Sequence, residues 1–532
     1  MMKTLLACLL SSACIFAQAK VSAEKEASMK ADMAGQIDGM QKQAQVMVDS
    51  VFSFGELGFQ EFETSKYLSG ILEKEGFKVE RNIAGIPTAF VATWGEGKPV
   101  IALGSDIDDI PQASQKPGVA YRDPMVEGAP GHGEGHNSGM PLQILAAIAA
   151  KHVMEREHLK GTLKVWPGVA EELLGTKAYY VRAGVFKDVD VCLFAHVGAN
   201  LGVGWGASGG SGLVSVEYLF KGESAHAAAA PWRGKSALDA VELMSVGYEF
   251  RREHLRLATR VHYVISNGGD QPNVVPPNAS IWFYFREADY DHIMNLWQIG
   301  DNMAKAATLM TDTTYTSRLL GTAWPGHFNR PIAEDMYENI KKVGLPQWSS
   351  DDQALAKAFQ TLMKVPPRGL ATQIGPLRAP RVQAEAGEGD VGPTGGPSDD
   401  IGDISWNVPT VVLGYPSNFQ GGPGHNWANA ISMATPVAHK GVVAGAKVQA
   451  MTILDILLRP ELVKSAWDYF NNVQTKDVKY KSFLRPDDQP PIWLNQKIME
   501  QYRPKMKAFY YDSSKYGTYL EQLGIKYPTL QP

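Results

Sequence analysis

Cysteine is scarce in this chain of 532 residues, which has three. Two of them, Cys8 and Cys14, fall in "TLLACLLSSACIFA" from Thr4 to Ala17, an apolar stretch behind Met1-Met2-Lys3. A small-x-small site follows at Ala17-Gln18-Ala19, and Ala23 offers a second. This reads as a cleaved signal peptide over residues 1–23, with an apolar part too short to span a bilayer. The remainder keeps only Cys192, so no internal disulfide can form, and an exported fold, secreted or periplasmic, must hold without one. A basic excess is also missing. Lys and Arg number 51 against 56 Asp and Glu, for a net charge of -5 with no Lys/Arg run, which excludes nucleic acid as a partner. Beyond the leader, no stretch reads as apolar enough to cross a membrane. With 44% hydrophobic and 20% charged residues, the chain is predicted to fold around a sizeable core.

What is present is a repeated plan, an apolar, β-rich run ending abruptly in an acid or a histidine. "PVIALGSDID" ends at Asp106 and Asp108, "GTLKVWPGVAEE" at Glu171 and Glu172, and "VDVCLFAH" at His196. "PTVVLGYPSNFQGGPGH" reaches His425 after a glycine-rich loop. Helical stretches such as "GMPLQILAAIAAKHVMER" lie between them, so the pattern predicts an α/β sheet covered on both faces. Ligands of such sheets bind outside the carboxyl ends of the strands, where these side chains fall. From Gly209 to Trp324 the order becomes β-α-β-β-α-β, an inserted α+β sandwich with "GWGASGGSG" as its hinge. The expected organisation is a catalytic domain over 24–208 and 325–459, with a central mixed sheet flanked by helices. A lid or dimerisation domain spans 209–324, and an extension without evident chemistry spans 460–532. Gly369 to Pro397 reads as a loop.

The stretch "GHGEGHNSG", Gly131 to Gly139, adds Glu134 and His136 to the set. Each motif alone has a plain structural reading: a lone histidine in a core, a Glu pair on a solvated face. Together, Glu134, His136, Glu171, Glu172, His196 and His425 are expected at one edge of one sheet. Mixed carboxylates and imidazoles suit two closely spaced divalent ions, Zn or Mn, and a spare Glu beside them suits a general base.

The order of these motifs resembles the zinc aminoacylase–carboxypeptidase family with co-catalytic metals, in the branch that includes the p-aminobenzoyl-glutamate hydrolase B subunit. The resemblance rests on "GSDIDDIP", "GHGEGHN", "AEE", "FKGESAHAAAAPWRGKSALDAVELM", "PNVVPPNAS", "SDDIGDISWNVPT" and "GHNW". It implies Glu171 as general base and Glu172, His136, His196 and His425 as metal ligands. Asp108 would orient a ligand from behind. Asp106 stands where other branches place a histidine ligand and is assigned the same supporting layer. His226 resembles a lid histidine that steadies the oxyanion, reaching across a dimer in family members. Asn273 and Arg286 resemble lid residues holding the substrate carboxylate. This branch normally has a cysteine where Glu134 stands, and glutamate can serve there as a harder oxygen ligand. His132 has no matching role and reads as a loop residue.

The implied activity is that of an exported metal-dependent amidohydrolase cleaving N-acyl or aryl-acyl amino acids by attack of a metal-bound hydroxide. The expected assembly is a homodimer through the lid, with a sister subunit as the alternative. Five tryptophans (Trp205, Trp232, Trp282, Trp406, Trp427) permit an aryl substrate. Two other readings stay open: a dipeptidase or carboxypeptidase of the same fold, and a non-catalytic solute-binding protein on a degenerate scaffold.

Overall fold

The computed structural model describes residues 21–380 and 396–531. The expected signal peptide lies outside them apart from its last three positions, as does most of the Gly369–Pro397 loop after residue 380. The chain opens with helices α1 (Ala23–Gly39), α2 (Gln41–Phe54) and α3 (Phe62–Lys74). Strands β1 (Lys78–Arg81), β2 (Phe90–Glu96) and β3 (Val100–Asp106) follow, then α4 (Gly139–Glu157), β4 (Gly161–Gly168), α5 (Lys177–Ala183) and β5 (Val191–Gly198). A short strand β6 (Gly206–Ala207) leads into the insertion: β7 (Gly212–Lys221), α6 (Ala237–Arg252), β8 (Arg260–Asn267), β9 (Asn278–Glu287), α7 (Tyr290–Thr311) and β10 (Thr314–Ala323). The chain returns through β11 (His327–Phe328), α8 (Arg330–Val343), α9 (Ser350–Leu362), α10 (Ile401–Ser405), β12 (Thr410–Pro416) and α11 (Pro436–Leu458). It ends with α12 (Pro460–Tyr469), α13 (Gln496–Met506) and α14 (Tyr519–Gln522).

The larger sheet has the order β1-β2-β4-β3-β5-β12. Its first two pairings are antiparallel and the other three parallel. Strand β3 is buried along its whole length, which requires cover on both faces. The chain leaves β3 for β4 on one side, then crosses to β5 on the other, so the loops diverge above the carboxyl end of β3 and open a crevice there. This is the predicted mixed sheet flanked by helices.

Helix α11 corrects the expectation about apolar runs. By length and composition it could cross a bilayer, yet 83% of its apolar window is buried inside the fold. It packs on α1, α2, α4 and α8. Helix α1 is tied to it by a buried lysine: Lys30 Nζ donates to Asp455 at 2.6 Å and to Asn339 at 3.1 Å. The Ser22 side chain caps α1 by accepting from Lys25 N.

The insertion is the expected β-α-β-β-α-β unit, an antiparallel sheet of order β10-β7-β9-β8. Side chains alternate along β9. Ile281, Phe283 and Phe285 enter the core formed with α6 and α7, while Ser280, Trp282, Tyr284 and Arg286 take the opposite face. Strand β8 is an edge strand, and it leaves Val264 and Ile265 exposed, as α6 leaves Val246 and Phe250.

The extension was read as carrying no evident chemistry, and the structure gives it a structural role. It straps the insertion to the catalytic domain. Phe483 is buried in the lid core, its ring 4.7 Å from that of Tyr290. Tyr480 donates to Asp403 beside α10, and Trp324 donates to Lys481 O. Further on, Arg182 holds Asp488 O and Arg503 pairs with Glu56. Phe483→Ala should therefore cost about 3–5 kcal/mol, as for other buried rings cut to alanine. Urea unfolding of the whole chain measures this, and an unchanged midpoint would show that the strap carries no load.

Candidate metal centre and active site

The four parallel strands deliver their terminal side chains to one place. Asp106 is the last residue of β3, His196 lies near the end of β5, and Glu171 and Glu172 sit in a single 3-10 turn just past β4. That turn is held in an uncommon conformation, since Ala170 and Leu174 on either side have φ of 52°. Non-glycine residues adopt such angles where surrounding contacts enforce them. Here the enforcing group is a buried carboxylate: Glu61 accepts from Ala170 N at 2.8 Å and from Phe59 N at 3.0 Å.

Asp108 organises the centre. One of its oxygens accepts from Glu171 N at 3.0 Å and the other from Glu172 N at 3.1 Å, so it clamps both glutamates through their backbone. Its own carbonyl lies 3.2 Å from His136 Nδ1. That contact places the imidazole proton on Nδ1 and leaves the Nε2 lone pair free for a metal, the usual orientation of a metal-binding histidine. His196 repeats the device, with Nδ1 3.0 Å from Val197 O. Gly135, at φ 116°, lets the "GHGEGHN" loop turn between Glu134 and His136. Asn429 then ties this loop to the His425 loop by donating to Gly133 O at 2.8 Å.

The donor atoms converge. His425 Nε2 is 2.7 Å from Glu134 and 3.2 Å from Glu172, and His196 Nε2 is 3.5 Å from Glu134. His136 Nε2 lies 4.0 Å from Glu171. Two triads, Glu134–His136–Glu172 and Asp106–His136–His196, offer ligand atoms within 4.8 Å of one another. The fit to divalent cations rests on orphaned atoms: His136 Nε2 and Glu172 Oε1 are buried without a hydrogen-bond partner. The set runs from buried His136 out to exposed His425, so a substrate can reach it.

The electrostatics agree. Burial, with the charges of Asp399 and Asp106, pushes the Glu171 carboxyl well above its ordinary range. Burial and the charge of Glu134 do the same to Glu172. Burial disfavours a charged His136, but Asp108, Asp106, Glu134 and Glu172 outweigh it and hold its basicity well above normal. Burial opposes ionisation of Glu134 too, but the hydrogen bond from His425 and the charges of His136 and His196 prevail and hold its carboxyl far below the usual range. Carboxylates here outnumber the cationic groups facing them, which is the chemistry of a site for divalent cations.

Lys177 was missed in the sequence. It is fully buried, 2.6 Å from Asp106 and in contact with Asp400. Asp106 thus has one oxygen held by a lysine, and its other, buried oxygen has no hydrogen-bond partner and faces the histidines. Gly168 on β4 makes room, since an added Cβ would overlap Asp106 Oδ1. The signal for Lys177 was its position: a lysine opening a helix, where the helix dipole disfavours a cation. His132 is more than a loop residue. It is buried, with Nδ1 2.6 Å from Asp109 and Nε2 3.2 Å from Val51 O.

The lid residues divide. Tyr284 packs against Leu174 beside the glutamate turn. Arg286, two residues along the same face of β9, feels the charge of Glu171, and its Nε is buried without a partner. Asn273 was grouped with Arg286, but the structure separates them. Asn273 and His226 lie together beyond the far end of the lid strands, where Ala227 N donates to Asn273 O at 3.0 Å. The strand residues Asn278 to Phe285 intervene, roughly 25 Å of strand. Both residues are exposed. None of the five tryptophans lines the cavity of about 200 Å³ beside His425 and Glu172.

Residues 208–308 match the model of the peptidase dimerisation domain of the M20 family. The chain is 34% identical over 433 residues to the B subunit of p-aminobenzoyl-glutamate hydrolase from Escherichia coli K12, covering 79% of this chain and 90% of that one. It is 26% identical to the Xaa-Arg dipeptidase of Mus musculus over 445 residues, 82% of this chain and 90% of that one. A solved aminohydrolase-type structure from methicillin-resistant Staphylococcus aureus superposes with a TM-score of 0.55 at 16% identity, covering 80% of this chain and all of that one, a likeness of fold.

If Glu134 and His136 hold a cation, Glu134→Ala should bind about one divalent ion fewer per chain, and Glu134→Cys should keep it. Metal analysis of purified, metal-loaded protein decides this. Full occupancy in both Glu134→Ala and His136→Ala would reduce the loop to a polar turn.

Proposed function

Since the chain belongs to the M20 peptidase family, alongside the p-aminobenzoyl-glutamate hydrolase B subunit, and is a metal-dependent hydrolase of C–N bonds, we propose that it is exported and cleaves the amide of N-acyl or aryl-acyl amino acids. The carrying observation is the pairing of a cation-binding cluster with Glu171 beneath it and Arg286 facing it from the lid. Two divalent ions, Zn or Mn, would be held by Glu134, His136, Glu172, His196 and His425; when bound, they polarise the scissile carbonyl and acidify water. Glu171 takes a proton from the attacking water and returns it to the leaving amine. Asp108 keeps Glu171 and Glu172 in register by their backbone N–H groups. Arg286 holds the carboxylate of the amino-acid half, in a planar two-point contact. The exchange of a softer thiolate for Glu134 favours harder ions, so Mn competes better with Zn here than in cysteine-bearing relatives.

His226 and Asn273 complete the site from a second copy. Most of the length of β9 separates them from Arg286 of their own chain, and the exposed apolar residues of β8 and α6 offer a surface for lid-to-lid pairing. A different, sister chain seated on the same surface is the alternative, as the related Escherichia coli hydrolase is named in two kinds of subunit.

Glu171→Gln should lower kcat about 10²–10⁴-fold on an N-benzoyl amino acid while metal content holds. His226→Ala should be similarly poor, and mixed dimers of the two variants should regain activity, because one site then receives Glu171 and His226 from different chains. No recovery in verified mixed dimers places His226 in its own chain's site, and a fully active Glu171→Gln variant removes Glu171 as base. Export makes a further prediction. Ser22 caps α1 and α1 starts at Ala23, so processing after Ala19 preserves the fold whereas processing after Ala23 removes the cap. Mass spectrometry of the exported protein should find Lys20 at its start. Retention of Met1 in a soluble cell fraction would overturn the export reading.

A further inference from the structure

The cavity of about 200 Å³ opens beside Glu172 and His425 and is walled by Leu57, Ile110, Pro111 and Leu173. Gly58 and Asp109 also line it, and one wall comes from the C-terminal strap, at Asn495. This wall is fixed in place. Asn495 Nδ2 donates to Gly58 O at 3.0 Å, and Gln60 Nε2 donates to Leu494 O at 3.0 Å and to Ile492 O at 3.2 Å. On the following helix, Arg503 donates to Gln60 O at 2.8 Å and pairs with Glu56. Upstream, Tyr179 donates to Gln489 O at 2.9 Å. Asn495 itself has a φ of 63°, a left-handed turn that asparagine tolerates better than most residues. A segment with no ligand or base of its own is thus held against the metal-ligand cluster by side chains from two other parts of the chain, Glu56 and Gln60 in one and Tyr179 in the other.

We propose that Asn495 and the 492–495 turn form the outer wall of the acyl pocket and set the largest acyl group the enzyme accepts. The inference rests on the amidohydrolase reading above. Tyr284, two residues before Arg286 on the same face of β9, packs against Leu174 beside the glutamate turn, and Arg286 feels the charge of Glu171, while the cavity adjoins Glu172 and His425. With the amino-acid carboxylate at Arg286, the acyl half is directed into the cavity. Its volume is below the roughly 300–1,000 Å³ usual for ligand pockets, and its walls are mainly apolar. It therefore takes a compact acyl group about the size of one ring and rejects a fused ring or a long chain. Asn495 is a specificity residue in this assignment: it bounds the substrate and takes no part in proton transfer.

The test is the ratio of kcat/KM for N-(2-naphthoyl)-glutamate to that for N-benzoyl-glutamate, in metal-loaded wild type and in Asn495→Gly. Glycine adopts the same positive φ without strain, so the turn is kept while the side chain is lost. The naphthoyl-to-benzoyl ratio should rise at least about tenfold, the scale on which pocket contacts discriminate. A ratio unchanged within about twofold overturns the wall. A wild type that cleaves neither compound overturns the hydrolase reading instead, and the wall is then decided by binding alone. Calorimetry with benzoate and 2-naphthoate should show the same shift in relative Kd on Asn495→Gly, and an unshifted ratio overturns the proposal.

Discussion

The active end of the sheet depends on confining carboxylates that repel one another. Asp106, Asp108, Glu134, Glu171 and Glu172 share a crevice in which all but Glu134 are almost wholly buried at the side chain. Burying an uncompensated carboxylate is expensive, so each needs a neutralising neighbour. Asp108 has the backbone N–H groups of the glutamate turn, and Asp106 has Lys177. Glu134 has His425. Glu172 keeps a buried oxygen without a hydrogen-bond donor. The fold has thus settled the charges that hold the architecture and left to bound cations those that face substrate. That division explains why the residues behind the centre are rigidly bonded while its outer members, Glu134, His196 and His425, turn their donor atoms toward one another and Glu172.

The lid follows from the same economy of placement. A four-stranded sheet with helices on one face has one face left for another use. Period-two alternation along β9 puts Phe283 and Phe285 into the core and Tyr284 and Arg286 on the catalytic side. The same strand carries the chain about 25 Å away before the His226–Asn273 corner. One element therefore serves two distances: its near end lies beside the glutamate turn, and its far end carries the exposed corner assigned above to a second copy. The strap works against free swinging of this arm, because Phe483 is part of the lid core while Arg503, twenty residues on, is bonded to the loop beside Asp108.

Most of the centre could be read in the sequence because its chemistry sits at strand ends. Asp106, Glu171 and His196 each follow an apolar β-rich run, so the sheet pattern alone brings them to one edge. The lid was legible for a similar reason, since β-α-β-β-α-β is a local order with short connections. What escaped was carried by long-range pairs that no periodicity announces. Lys177 meets Asp400 across more than two hundred positions, and Asn495 meets Gly58 across more than four hundred. Helix α11 was legible as a helix, but its apolar length was underrated, since composition does not separate a core helix from a membrane span. Asn273 and Arg286 stand far apart within one chain, because resemblance transfers roles whereas strand length decides which side chains of a single copy can meet.

The place of Glu134 brings these constraints together. A thiolate at that position would be a reactive sulfur at the rim of the site. Cys192 is the free cysteine among the described residues; it is buried, and burial pushes its thiol up to about 12, so it resists both oxidation and metal capture. In the oxidising setting proposed here, a thiolate ligand would tie metal occupancy to the redox state of the surroundings. A carboxylate removes that dependence but adds a negative charge to a crevice already crowded with them. The addition is tolerated because Glu134 lies at the outer rim, about a quarter exposed and within 2.7 Å of His425, where water and an imidazole share the work of neutralising it. The same exchange at the buried position of Asp108 or Glu172 would have no such relief, so the rim is where this ligand set can change its chemistry while the clamp behind it stays as it is.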